Sequence, residues 1–182
     1  LYTSTKTFAN KTMAAYYGVG GGTSDADWKP VTLDGKKRAG VMTMPALLTS
    51  LAHVDEPSYV FRGKIVLKQM MCVALPVPPA GAAQMLPDFP PNPTQRVKSD
   101  TIRTVSTCAG CHNQIDPIGL SFEAYDEIGR VRTSLPGGGG INEKGEVVDV
   151  ADDVNGPFAH PVELAERLAG SQTGERCLVT QL

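Results

Sequence analysis

No stretch of this sequence reaches the roughly 18 consecutive apolar residues that a membrane-crossing helix needs, so no membrane span is expected. Net charge is nearly absent. Seventeen Lys and Arg against nineteen Asp and Glu leave −2, which excludes a general polyanion-binding surface and, with it, nucleic acid as an expected partner. Cysteine and histidine are scarce, at four and three. Only one Cys-x-x-Cys occurs, at 108–111, and neither a second one nor a His-x-x-x-His accompanies it, so the other half of a zinc site is missing. The strand–helix–strand setting of a dithiol redox pair is missing around it too. The glycine run at 137–140 lacks a preceding strand and following helix, which excludes a phosphate loop. There is no internal repeat, and no base-and-nucleophile constellation stands out.

What remains is an ordinary globular composition, 41% hydrophobic and 20% charged, in a chain of 182 residues that can bury a sizeable core. It opens on Leu1 without a leader pattern and stops at "CLVTQL" inside an apolar helical pattern. The expectation is therefore a mature product or a piece of a longer chain, with sequence continuing past the C-terminus. Periodicity predicts helices over "TFANKTMAAYYG", with Phe8, Thr12, Ala15 and Tyr16 on one face, over 44–53 with Pro45 in the first turn, and over 58–72 with Val60, Ile65, Val66 and Met70 inward. Further helices are predicted from Ser99 as a cap towards Cys108, over 120–129 with Phe122, Tyr125 and Ile128 inward, over "HPVELAERLAG", and from "GERCLVTQL" onward. Asp34-Gly35 is a turn signal of hairpin type, and the glycine-rich segment after Leu135 suits a short hairpin. Between Leu75 and Pro93 the prolines forbid a continuous helix or a central strand. That stretch reads as an extended strap packed through Leu75, Val77, Met85, Leu86 and Phe89, or else as a linker between domains. The fold class expected is mostly α, with long proline- and glycine-rich loops. It divides into an N-terminal helical part (1–74), the strap (75–98) and a third part (99–182), together one compact unit.

Cys108-Ala109-Gly110-Cys111-His112 has the spacing of a c-type haem attachment site. Two thiols about one helical turn apart reach two neighbouring vinyl groups of a porphyrin, and the next residue presents an imidazole to the iron. The small residues between them let the backbone lie against the ring edge. His112 is thus the expected proximal ligand of one covalent haem c. Its other ring nitrogen needs an acceptor. A backbone carbonyl in "IDPIG" is the candidate, with Pro117 stiffening the turn and Asp116 capping it. Met44 is favoured as the sixth ligand, with His53 and Met85 as alternatives and an open position as a further one. Arg130 and Arg132, with Arg103 and Trp28, are candidates to meet the propionates. Haem c is attached outside the cytoplasm, where disulfides survive, so Cys72 and Cys177 are expected either as a bridge or as two buried thiols.

"CAGCHNQIDPIGLSFEAYDEIGRVR" (108–132) resembles a signature of large secreted bacterial proteins described as planctomycete-type and cytochrome-like. The likeness continues through "KRAGVMTMPALL", "SYVFRG", "MMCVALPVPPA" and the closing "GPFAHPVELAERLAGSQTGERCLVTQL". It departs at Ser58-Tyr59-Val60-Phe61-Arg62-Gly63, where the family commonly has serine-proline before arginine-glycine. The resemblance implies a c-type cytochrome-like helical domain, export to the periplasm or beyond, haem c, electron transfer and pairing of Cys72 with Cys177. The expected function is a monohaem electron carrier whose partners are redox proteins or neighbouring haem domains, further copies included. The alternative is a haem-bearing electron-feeding or catalytic domain of a larger secreted oxidoreductase.

Overall fold

The structure is a computed structural model, and it describes residues 1–181, apart from the side chain of Ala83. The closing "GERCLVTQL" is helical as expected, although Leu182 lies outside the described residues. Helix is the main regular structure, with seven α-helices and two small antiparallel strand pairs among the described residues. Among the described residues no helix is long and apolar enough to cross a membrane.

The chain starts with β1 (Lys6–Ala9), α1 (Lys11–Tyr17) and β2 (Lys29–Thr32), and β2 pairs back onto β1 with Lys6 opposite Thr32 and Ala9 opposite Lys29. The helix predicted from Thr7 is thereby corrected. Asn10 is its N-cap, with the side chain accepting the Met13 N–H at 2.9 Å, and a cap must be extended, so residues before it leave the helix. Phe8 then points outward from β1, 63% exposed. Gly18, at φ 67°, ends α1 as expected. Asp34-Gly35 makes a turn, with the Arg38 N–H on the Asp34 carbonyl, but no local hairpin forms, because β2 takes the earlier strand as partner.

Two helices follow, α2 (Pro45–Ser50), with Pro45 in the first turn, and α3 (Tyr59–Ile65), capped by Ser58. α3 runs on as a π-helical turn over Val66–Met70 and stops at Met71. Val66 and Met70 are buried, while Val60 and Ile65 are half-buried against the core. The proline stretch is extended, relieved only by a 3₁₀ turn at Ala82–Met85. α4 (Gln95–Arg103) is capped by Thr94, not by Ser99, which lies one turn inside and is fully buried. α5 (Ser106–Gly119) carries the Cys-x-x-Cys-His motif and runs through Pro117.

The predicted helix 120–129 reduces to a 3₁₀ run at Leu120–Ala124. The Asp126 carboxylate takes the N–H groups of Ile128 and Arg130, which turns the chain and lets Tyr125 bridge to Val131. Ile128 is consequently 38% exposed rather than inward. β3 (Gly145–Val147) and β4 (Gly156–Phe158) form the second pair, and α6 (Pro161–Ala169) and α7 (Gln172–Gln181) close the fold. Cys177 on α7 is disulfide-bonded to Cys72, 105 residues away.

One apolar core joins these parts, from Tyr2 and Met42 through Leu67, Ile118 and Phe122 to Leu168. Its tightest point is the crossing of α3 and α5. A Cβ on Gly63 would stand 2.1 Å from the Ile115 carbonyl oxygen, and one on Gly119 would stand 1.9 Å from that of Tyr59, so the two backbones touch there. Beside the crossing lies Arg62, 1% exposed. Its guanidinium donates to the carbonyls of Tyr125 (2.7 Å), Asp126 (2.6 Å), Phe122 (3.2 Å) and Leu48 (3.4 Å). Burial, helped by the nearby Arg132, pulls its pKa down to about 10, and the ring of carbonyl dipoles keeps the cation soluble in the interior. Arg62 therefore fastens α3 and α2 to the turn that follows α5.

Candidate functional site

The motif occupies the first two turns of α5, where three and four residues bring side chains to one face. Cys108, Cys111 and His112 all open onto a single cleft of about 900 Å³, counting its open mouth. Val60 and Phe61 of α3 and Ile115 of α5 line it, together with Leu75, Met85 and Leu86 of the strap. Both thiols are unbridged and half-buried. Among the described residues no three His, Cys, Asp or Glu side chains gather as a metal cluster, so no second half of a zinc site stands near the thiols.

His112 is held from behind. Its Nδ1 lies 2.9 Å from Asp116 Oδ1, and the Ser99 hydroxyl donates to Asp116 Oδ2 at 2.6 Å. Asp116 is wholly buried, whereas the His112 side chain keeps 19% of its surface. The acceptor is therefore a carboxylate one helical turn along, and the expected backbone carbonyl is not the partner. The reason is that Pro117 lies inside α5 rather than in a turn, so helical i, i+4 geometry carries Asp116 back under the imidazole. The pKa of the neighbouring Tyr59 is pushed well up, first by burial and then by the negative carboxyl of Asp116, so its phenol stays protonated.

The remaining expectations separate. Met85, 44% exposed, lines the cleft of the thiols. Met44, equally exposed, lines a different cleft with Leu1, Tyr17 and Arg38, because it precedes α2 on the side of β1. His53 is exposed just past α2, with its ring 5.5 Å from that of Phe61, and does not line the cleft. Neither Arg130 nor Arg132 lines the cleft. Arg130 reaches over the Tyr16 ring at 5.7 Å, and Arg132 donates to the Glu123 carbonyl at 2.8 Å. Arg103 pairs with Asp100, and Trp28 is 54% exposed next to β2. The cation that does line the cleft is Lys64, on the same face of α3 as Val60 and Phe61. That spacing was a usable signal for Lys64 in the sequence, as the four-residue step was for Asp116; nothing local marked Ser99.

Could this constellation hold haem c? Two unbridged thiols and an imidazole whose Nδ1 is engaged by Asp116, leaving Nε2 without a partner among the described residues, line one apolar cleft of ligand-binding size with one cation, so the donor set fits the group. No curated protein and no solved structure matches the chain. A family model does, over residues 38–135, a span that takes in α2, α3, the strap, α5 and the turn clasped by Arg62. With just over half its length matched, the chain belongs to PSCyt3, the cytochrome-like family of unknown function DUF1588.

Proposed function

We propose that the chain is a monohaem c-type cytochrome domain that carries electrons outside the cytoplasm, in the periplasm or beyond. The observation that carries the reading is the convergence of Cys108, Cys111 and His112 on one apolar cleft. Each thiol would add across one porphyrin vinyl group. A sulfur–carbon bond would form, the thiol proton would go to the other vinyl carbon, and no atom would be lost. Haem c supplies a one-electron Fe(III)/Fe(II) couple, with the electron arriving from and leaving to partner redox proteins or neighbouring haem domains. The chain's own part is to anchor, orient and desolvate. His112 offers Nε2, and Val60, Phe61 and Ile115 exclude water from one side. Lys64 offers a cation to a propionate, and Met85 is the sulfur on the strap side available as sixth ligand. The Cys72–Cys177 bridge suits an oxidising compartment.

The test is export of the chain in a host that attaches haem c, followed by intact mass and a reduced-minus-oxidised spectrum. The expected result is the mass of the chain plus one haem, with Cys108→Ala and Cys111→Ala each losing one covalent link. A colourless product with the mass of the bare chain overturns the reading.

A further inference from the structure

We infer that Asp116, held by Ser99, is a positioning residue that sets both the tautomer of His112 and the potential of the iron it would bind; this rests on the proposed haem c reading. With Nε2 facing the cleft, Nδ1 carries the proton and donates it to Asp116 Oδ1 across 2.9 Å. Ser99 Oγ donates to the other oxygen at 2.6 Å, so both carboxylate oxygens act as acceptors. Ser99 and Asp116 are both fully buried, which keeps water from competing for either bond and leaves the negative charge poorly screened. The three residues come from two helices, α4 and α5, so the arrangement is built by packing and not by one local turn.

A carboxylate in this position does what a neutral carbonyl cannot. It draws the Nδ1 proton, raises the electron density at Nε2 and places a negative charge directly behind the imidazole that would bind the iron. All three effects favour the ferric over the ferrous state. A ligand imidazole can also donate to a neutral backbone carbonyl or water, and the expectation from the sequence was of that kind. The carboxylate therefore biases this site towards a low potential, as suits a donor of electrons more than a final acceptor.

The test uses the haem-loaded chain and the substitution Asp116→Asn. Asn keeps an acceptor for Nδ1–H and an N–H group for Ser99 Oγ, so the geometry survives while the charge goes. At a fixed ambient potential the ferrous-to-ferric ratio is expected to rise at least tenfold, an upward shift of about 59 mV for each factor of ten in a one-electron couple. Asp100→Asn, on the exposed side of α4, is the control and is expected to leave the ratio within twofold. If Asp116→Asn is haem-loaded and its ratio also stays within twofold, the inference is overturned while the haem reading stands. A colourless parent overturns both. Should Asp116→Asn not fold, nitrogen-15 NMR of the parent's ferrous form decides the matter. A His112 Nδ1 proton that exchanges slowly with solvent supports the bond to Asp116, and its absence overturns it.

Discussion

The two sides of the cleft are built on opposite principles. On the helical side α3 and α5 meet backbone to backbone at Gly63 and Gly119, with Arg62 fastened to four carbonyls beside them. On the strap side Val77 is 89% exposed, and Met85 and Leu86 are 44% and 45% exposed, so they cover little of the core. The strap is stiff all the same, because proline fixes φ and leaves the unfolded chain fewer conformations to lose. Position is thus held by close packing on one side and by covalent restriction on the other. A rigid side suits residues that must be placed to a fraction of an ångström, such as His112 and the thiols. A restricted but unpacked side suits residues that close over whatever the cleft holds.

That contrast should be easiest to break at the crossing. Gly119→Val places a Cβ where 1.9 Å separates it from the Tyr59 carbonyl oxygen, and backbone cannot yield as a side-chain tip can. The two helices must part, at an expected cost above about 4 kcal/mol, read as a lower urea midpoint at unchanged slope. A destabilisation below about 1 kcal/mol would show that the crossing is not the rigid side. A smaller loss should follow from removing the tie at the strap's base with Cys72→Ser and Cys177→Ser together. The bridge spans 105 residues, and about 2–4 kcal/mol is the usual contribution of such a link. Limited proteolysis sharpens the comparison, since new cleavage should fall within 75–93 and spare α3 and α5. Cleavage first in α5 would reverse the assignment of the two sides.

How much of this could be read from residues alone divides along the same line. The grouping of Cys108, Cys111 and His112 on one cleft was legible because it is local, three side chains within five positions. The extended course of the strap was legible too, because each proline restricts its own backbone, but its expected packing through Val77, Met85 and Leu86 was not, since all three are exposed. The Cys72–Cys177 pairing was legible from the resemblance and from compartment chemistry, and the two do meet. Asp116 was misplaced because Pro117 reads as a helix breaker, yet α5 runs through it to Gly119 at the loss of one backbone hydrogen bond. The first helix was begun too early because apolar spacing at Phe8 outweighed the capping chemistry of Asn10. Burial of Arg62 was not legible at all, since its partners are carbonyls from two distant segments, Leu48 and 122–126. The choice between Met44 and Met85 depended on which side of α3 each segment passes, which periodicity does not encode.

The weakest expected effect on stability is also the one that says most about the strap. Met85 is 44% exposed, so Met85→Ala should change folding stability by less than about 0.5 kcal/mol. Leu86→Ser, at 45% exposure, should behave alike in denaturant. The two should differ in the haem-loaded protein. If Met85 supplies the sixth ligand, its truncation opens a coordination position, and reduced protein should bind carbon monoxide rapidly where the parent and Leu86→Ser do not. Met44→Ala should resemble the parent, because its side chain lines another cleft. Rapid carbon monoxide binding by the parent itself would mean that the strap supplies no ligand. Its exposed apolar residues would then serve only to shield the open face, and the catalytic alternative would gain ground over the electron carrier.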